Sequence, residues 1–380
     1  MRIFQVIHAS TNSNVPGSIT WYRNLYEPLI ELGHEVVLVP TDEVRKAGRN
    51  RAAARARFSE KLVEIFRQEH DKKPLDLFFA YLTDDEVDPT AIDLIRKSGV
   101  PTCNFSCNNI HQFYLVEKIS PHFDYCLHSE KDAGQKFKAI GANPLWWPMA
   151  SNPKYFRPLN LPRTISASFV GANYSLRARY ILHLLENGID VHVYGPGWVW
   201  GTSNKWRSIA KRWKYLFLSL SARTPQAQYA ASAQLADHDL RRYLSARFPK
   251  NVHPPISDEE LIALYSRSHI SLGFLEVYDR HDASRPVTYH LHLREFEAPM
   301  CGALLCTGYS DELAEMFEPE KEVIVYRNQH ELLDKVRYYL AHPERAEKVR
   351  LAGRARALRD HTYQHRFKQL FATIGLSGTI

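Results

Sequence analysis

Two segments in the second half of the chain carry side chains suited to a phosphorylated ligand. The first is Gly171-Ala172-Asn173-Tyr174-Ser175-Leu176-Arg177, set between an apolar run and a helical stretch. Glycine permits close backbone approach, the helix behind it presents free N–H groups and a positive dipole end, and Arg177 can pair with phosphate oxygens bidentately. A glycine at a strand end is equally plain turn chemistry, so both readings stand at this point. The second segment is His292-Leu293-Arg294-Glu295-Phe296-Glu297-Ala298-Pro299-Met300-Cys301-Gly302, followed by the apolar run Ala303 to Thr307. It reads as a short helix with a carboxylate near its start, a stop at Gly302 and a buried strand directly after. A carboxylate in the first turn of a helix can also be no more than a partner for the helix dipole.

In the first half, His8, the Asn12 to Ser18 loop, Asp84, Asp85, Asn108 and His111 fall at the ends of predicted strands. A histidine or carboxylate within reach of a hydroxyl can take its proton, so any of these could act as a general base or orient a substrate. The acids have a plainer account, because Asp84-Asp85-Glu86-Val87-Asp88-Pro89 is what a helix entry looks like. Asp237-His238-Asp239 has a carboxylate spacing that can hold a divalent ion. Its flanks, Ala231 to Ala236 and Leu240 to Leu244, instead make it the start of a helix. Cys103 and Cys107 could share one face of a strand and bind a metal, but no second Cys or His pair completes a site. Five cysteines at irregular spacing argue for free, buried thiols in a reducing compartment.

These residues need elements to position them. Ile3 to His8, the Gly/Asn/Ser/Pro loop Ser10 to Ser18, a helical stretch ending at Gly33 and the run His34 to Val39 form a βαβ unit. The apolar runs are continuous rather than alternating, as expected of parallel strands buried on both faces. Strands follow at Leu75 to Leu82, Val100 to Phe105 and Phe123 to Ser129, with helices at Pro89 to Gly99 and Lys131 to Ile140. After the Pro-rich stretch Trp146 to Pro162 the alternation restarts: strand Ile165 to Val170, helix Leu176 to Asn187, and strand Val191 to Tyr194 closed by Gly195-Pro196-Gly197. Helices at Asp258 to Arg267 and Leu293 to Met300 and strands at Ile270 to Phe274, Ala303 to Thr307 and Glu322 to Tyr326 complete a second Rossmann-like domain. A helical tail runs from His330, broken at His342-Pro343.

Length supports the division, since 380 residues suffice for two domains that each bury a core. No apolar run approaches the ~20 residues of a membrane span, and the start lacks the sections of a signal peptide, so a soluble, cytoplasmic protein is expected. The formal charge of +7 suggests an anionic partner. Nucleic acid is disfavoured, because the basic residues are not interleaved with a recognised motif. Residues 201–250 interrupt the alternation. There Trp206, Ile209, Trp213, Leu216, Phe217 and Leu220 recur at helical spacing while Lys205, Arg207, Lys211, Arg212 and Lys214 crowd the same turns. One reading is a basic amphipathic helix that touches anionic lipid, with peripheral placement at the inner membrane face; the other is a helix packed on its own domain with a solvated basic face.

The order Arg-x-Phe-Glu-Ala-x-x-Cys-Gly at 294–302, followed by an apolar strand, resembles the nucleotide-sugar-binding helix of GT-B glycosyltransferases. The likeness is to the CgeB-like spore-maturation group of the glycosyl transferases group 1 superfamily. It extends to Phe123-Asp124-Tyr125, Trp147-Pro148-Met149-Ala150, Asn152 to Pro158, Phe169-Val170-Gly171 with Arg177, Val193-Tyr194-Gly195 with Gly197-Trp198, and Gly353, Arg359, His361-Thr362-Tyr363 and Arg366. Most of the chain outside 201–250 is covered. The resemblance implies an α/β GT-B fold of two Rossmann-like domains facing each other across a cleft. Residues 1–155 would form an acceptor domain, on which a helix at about 362–380 packs back, and residues 156–361 a donor domain. It implies a metal-independent hexosyltransferase without a cofactor, using a nucleotide diphosphate sugar, UDP-sugar favoured, and an acceptor that is a glycan, lipid-linked glycan, protein or small molecule. A sugar-nucleotide 2-epimerase of the same architecture and an inactive sugar-nucleotide binder are the alternatives.

Glu297 would accept hydrogen bonds from the ribose hydroxyls, as suits an acceptor-only carboxylate facing a diol. Arg294 and the backbone from Pro299 to Gly302 would lie near the diphosphate or base. Gly171, Asn173, Arg177, Tyr194, Gly195 and His292 complete the expected donor site. His111, His8 and Asp85 are the catalytic candidates, and Asn12, Asn14, Gly17 and Asn108 the acceptor-side ones. The superfamily's Glu-x7-Glu pair would place its first carboxylate at Tyr289, so that contact is either missing or supplied by neighbours such as His290, His292 or Asp282.

Overall fold

The computed structural model describes residues 1–9, 19–200, 205–277 and 287–376. Asn12, Asn14, Gly17 and Asp282 lie outside them. The chain divides into two compact units, Met1–Tyr155 together with the segment from Asp360 onward, and Phe156–Arg359. Each contains one six-stranded parallel sheet.

In the first unit the strands are β1 (Arg2–Ile7), β2 (Glu35–Pro40), β3 (Leu77–Ala80), β4 (Thr102–Ser106), β5 (Tyr125–His128) and β6 (Pro144–Trp146), in the order β2-β1-β3-β4-β5-β6. β1, β3 and β4 are buried along their whole length; β3 is an unbroken apolar run, while β1 and β4 also bury Gln5 and Asn104. One face packs on the helix Arg51–Lys72 through Phe58, Leu62, Val63 and Phe66. The chain from Asp360 onward returns to this unit: the indole of Trp147 donates to the Arg366 carbonyl (2.9 Å), and Phe367 packs edge-on against Trp147 and Phe79. The guanidinium of Arg366 is buried and donates to the Pro148 (2.9 Å), Met149 (3.2 Å) and Asp360 (3.1 Å) carbonyls. Burial lowers it to about 10.

In the second unit the strands are β7 (Ile165–Val170), β8 (Val191–Tyr194), β9 (Val252–His253), β10 (Ser268–Leu272), then a two-stranded antiparallel ribbon β11 (Glu276–Val277) and β12 (Thr288–Tyr289), then β13 (Leu304–Gly308) and β14 (Ile324–Tyr326). The parallel sheet runs β14-β13-β10-β7-β8-β9. The chain moves outward from β7 to β9, then returns to the other side of β7 at β10. Between β7 and β10 the winding reverses, and the carboxyl ends of strands at such a switch point are where open α/β sheets bind ligands.

Within the 201–250 segment, the helices Lys205–Ser221 and Pro225–Arg247 form a hairpin whose second helix packs on the helix Arg177–Glu186. Asp237-His238-Asp239 lies well inside that second helix, so the expectation of a helix start is corrected. Thr224 is the N-cap, accepting from the Ala227 N–H (3.2 Å), with Pro225 behind it. No helix among the described residues is long and apolar enough to cross a membrane. Cys103 and Cys126 are buried thiols, and Cys107 lies with its Sγ 3.0 Å from the Tyr81 hydroxyl.

Two glycines set how closely the ends of β7 and β8 approach. Gly171 (φ +154°) donates to the Tyr194 carbonyl (2.9 Å), and a Cβ on Gly195 (φ +140°) would collide with the Gly171 carbonyl. Gly195→Ala is therefore expected to destabilise the protein by about 1–3 kcal/mol, through the clash and the disfavoured φ together. A thermal melt checks this; for a domain of this size each kcal/mol lowers Tm by roughly 2–4 °C.

Candidate functional site

The turn that follows β7 is shaped around a buried arginine. Arg294, on the helix Arg294–Met300, donates from both Nε (2.8 Å) and Nη2 to the Val170 carbonyl, the last of β7. A Cβ on Gly171 would lie 2.5 Å from that Nη2, so the glycine is required by the guanidinium above it. The Trp198 indole fixes the same peptide from the other side, donating to the Gly171 carbonyl (2.7 Å).

A second arginine completes the pair. Arg177 Nη1 donates to the Ala172 carbonyl (2.9 Å), and Nη2 to the Tyr174 hydroxyl (2.7 Å) and the Phe274 carbonyl (3.4 Å), just past β10. Arg294 thus holds the end of β7 and Arg177 the end of β10, on the two sides of the switch point. Both guanidiniums lie over the Phe169 ring, at 4.5 and 5.2 Å, and Arg177 also stacks on Tyr174 at 3.7 Å. Burial and the neighbouring Arg294 lower Arg177 to about 10. Arg294 Nη1 is buried and has no hydrogen-bond partner among the described residues.

His292 joins this pair to a carboxylate. Burial, then Arg177 and Arg294, hold its pKa well below the usual value, so the ring is neutral. Its Nε2 lies 3.2 Å from Arg177 Nη2 and 3.0 Å from the Tyr174 hydroxyl, both able to donate, which assigns the proton to Nδ1. Nδ1 is 3.5 Å from Glu295 Oε2, which also accepts from the His292 backbone N–H (2.8 Å). Thr307, at the end of β13, donates to Glu295 Oε1 (3.4 Å). Gly273 leaves the necessary room, since a Cβ there would be 2.6 Å from Glu295 Oε1 and nearer still to Thr307. Residue types alone did not single out Glu295, Tyr174 or Thr307; their tie to Arg177 and His292 is visible only once three strand ends meet.

Glu297 is buried on the same helix as Arg294. The helix-entry role falls instead to Glu295, whose carboxylate reaches back to the His292 N–H. Burial pushes the Glu297 carboxyl up to about 8, opposed by Arg294 and reinforced by Asp258 and Glu295. Pro299 is buried inside this helix, and Gly302 (φ +71°) ends it, its carbonyl accepting from Arg163 Nη2 (3.1 Å). Tyr289 is exposed and stands opposite Glu276 in the β11–β12 ribbon. Glu276 is buried and raised by burial; its Oε1 accepts from the Tyr180 hydroxyl (3.3 Å), while Oε2 has no partner among the described residues. Its nearest signal in the sequence was the tyrosine at 289, thirteen positions away. His290 is buried, its ring 4.1 Å from that of His292. Asn173 donates to the Pro196 (2.9 Å) and Gly197 (3.2 Å) carbonyls and accepts from Arg241 Nη2 (2.7 Å); Tyr194 stacks on His253 at 4.3 Å.

The remaining candidates belong to the first unit. His8 follows β1, with Nδ1 3.4 Å from Asp42 Oδ1. Asp85 is exposed and paired with Arg51 (3.3 Å), while Asp84 accepts from the Lys118 and Ile119 N–H groups. Asn108 has φ +60° ahead of the short helix Asn109–Gln112, on which His111 is exposed.

Two parallel six-stranded sheets, with a buried cationic pair at the switch point of the second, define an α/β protein of the GT-B class. Similar solved structures are an alpha-glucosyltransferase in complex with UDP-glucose and DNA containing an abasic site (TM-score 0.62, 10% identity, 99% of each chain covered) and sucrose-phosphate synthase from Thermosynechococcus elongatus (TM-score 0.58, 12% identity, 100% of each). A putative UDP-N-acetylglucosamine 2-epimerase from Listeria monocytogenes is also similar (TM-score 0.52, 12% identity, 98% of this chain and 97% of that one). No curated protein matches the sequence. Residues 177–372 match the family described as glycosyl transferase-like, and the chain belongs to that family.

The raised carboxyl of Glu297 has a consequence for stability. In the unfolded chain it loses its proton near 4.5, whereas the folded protein keeps the proton to about 8. Folding therefore takes up a proton in that window, and this group's contribution falls as pH rises from about 4.5 to about 8, flat on either side. Glu297→Gln is expected to gain stability relative to the parent across the window, on the order of a few kcal/mol. Denaturant unfolding at pH 5 and pH 8 checks it; parallel losses in both proteins would contradict the assignment.

Proposed function

We propose that the protein transfers a sugar from a UDP-sugar to an acceptor hydroxyl without a required metal, within the CgeB-like group that its 294–302 segment resembles. The observation that carries this reading is the Arg177 and Arg294 pair at the switch point, with Arg294 Nη1 left without a partner among the described residues and Glu297 one turn along the same helix. Uridine is favoured by the similar structure solved with UDP-glucose.

In the transfer, the bond between the anomeric carbon and the diphosphate oxygen breaks and the acceptor oxygen bonds to that carbon. The departing diphosphate gains negative charge, which Arg294 Nη1 and the field of Arg177 stabilise from fixed positions. Arg177 acts chiefly by holding Tyr174 and His292 in place, since its Nη donors are engaged. Glu297, which keeps its proton to about 8 in the free protein, accepts from a ribose hydroxyl through its unprotonated oxygen. Glu276 takes the donor-sugar contact that Tyr289 cannot make, offering Oε2 to a sugar hydroxyl. The acceptor's proton passes to a general base. Among His8, His111 and Asp85, His8 fits best: its ring faces Asp42, an orienting carboxylate, whereas Asp85 is occupied by Arg51. Asn108, with Asn12, Asn14 and Gly17, is assigned to the acceptor side.

A sugar-nucleotide 2-epimerase is the second reading, favoured by the likeness to the Listeria monocytogenes protein. It would convert a UDP-sugar alone, releasing no free UDP; sustained UDP release that depends on an added acceptor separates the two.

Thermal shifts with UDP, GDP and dTDP test the donor assignment. UDP is expected to raise Tm, by about 2.7 kcal/mol of added stability at a hundredfold excess over Kd. Glu297→Ala and Arg294→Lys are expected to weaken UDP roughly tenfold or more, the latter because an ammonium cannot replace the guanidinium fork. Absence of a shift with all three nucleotides, or unchanged UDP affinity in both variants, overturns the reading.

A further inference from the structure

The helix Lys205–Ser221 turns its apolar stripe outward. Ile209 (47% exposed), Trp213 (61%), Phe217 (69%) and Leu220 (80%) follow one another at spacings of four, four and three, so they share one face of the helix. The inward contacts are made by other residues: Arg212 pairs with Asp239 on the second helix of the hairpin (2.7 and 3.1 Å), and Tyr215 meets His238 edge-on. The helix thus packs on its own domain through these residues, while its apolar stripe as well as its basic residues faces solvent. Four large apolar side chains face water together, an arrangement that marks a docking surface rather than a core.

Charge identifies the occupant. Residues 205–250 hold ten lysines and arginines against two aspartates, leaving 39 basic against 40 acidic residues in the rest of the chain. The protein's whole positive surplus thus resides on this hairpin. Lys211 and Lys214 are exposed on the same helix as the stripe, and Arg223 is exposed in the connection to the second helix. A second copy of the chain would bring two such charges together, and a nucleic acid would leave Ile209 and Leu220 without an apolar partner. A surface that presents anionic groups over a hydrocarbon interior satisfies both features at once.

We propose that this hairpin seats the protein on an anionic lipid surface, with Ile209, Trp213, Phe217 and Leu220 entering the boundary between headgroups and acyl chains and the lysines and arginines meeting the headgroups. Arg241, on the second helix, donates to the Asn173 carbonyl (2.7 Å), so the docked hairpin is tied directly to the turn after β7. The inference does not depend on the transfer reaction.

Co-sedimentation with phosphatidylcholine vesicles, and with vesicles of phosphatidylcholine and phosphatidylglycerol in equal parts, tests it. Binding is expected to the anionic vesicles only, falling with added salt. Trp213→Ser with Phe217→Ser is expected to weaken it roughly tenfold or more. Lys214→Gln should weaken it about fivefold. Because all three side chains are exposed, the variants should keep the parent's melting temperature, and UDP binding serves as a second check that the fold is intact. Equal binding to neutral vesicles, full binding by the double serine variant, capture of duplex DNA but not vesicles, or self-association abolished by the double variant would each overturn the proposal.

Discussion

The Val170 carbonyl is the point on which the candidate site depends. It is the last carbonyl of β7 and lies beyond the reach of the sheet's ladder, so a buried partner has to be supplied. Arg294 supplies it with two donors. A charge placed there is costly to desolvate, and the surroundings answer that cost piecewise. Phe169 offers its ring face, Glu295 lies on the same helix, and Gly171 removes the atom that would push the guanidinium away. Gly195 and Trp198, both against the Gly171 carbonyl, then follow as requirements of the same packing.

Two guanidiniums so placed repel each other, and this adds to burial, the larger cause, in lowering Arg177. Glu295 does not balance them, because burial raises its own carboxyl and it is already bonded to His292 and Thr307. The arrangement persists because each arginine also bonds a main-chain carbonyl at the end of a different strand. The two strand ends are therefore held in fixed positions by the guanidiniums, and under the proposed function such a fixed arrangement would stabilise developing negative charge without reorganisation. His292 contributes by staying neutral, as a third positive group in contact with the pair would strain the site further.

How much of this was legible follows from the kind of signal each part leaves. Largely buried strands are mostly apolar runs, which makes β1, β3, β7 and β13 legible although Gln5, Ser168 and Thr307 interrupt them. The edge strands β6 and β9 have three and two residues, too few for any period. The helix Arg51–Lys72 leaves little trace in the sequence, because its buried positions, Phe58, Leu62, Val63 and Phe66, are diluted by charged residues and alanines along most of its length. In the site, Gly171, Arg294 and Glu297 announce themselves by type and spacing within one segment. Glu276 does not, since its place beside the site is created by pairing with Tyr289 across a ribbon, a relation that local sequence cannot express.

The hairpin illustrates a different limit. A period of 3.6 shows that a stripe exists, but it is silent on which way the stripe faces. That direction is decided by what the opposite face can offer, and here the inner face is polar. Arg212 finds Asp239, and His238 sits between Trp200 and Tyr215. An ion pair and edge contacts of this kind hold the hairpin closed only weakly compared with an apolar core, because an exposed pair contributes about 1 kcal/mol at most. Turning Trp213 and Phe217 inward would bury far more apolar area. A helix that leaves this stabilisation unused and concentrates the chain's positive surplus beside the stripe is arranged for a partner outside the fold.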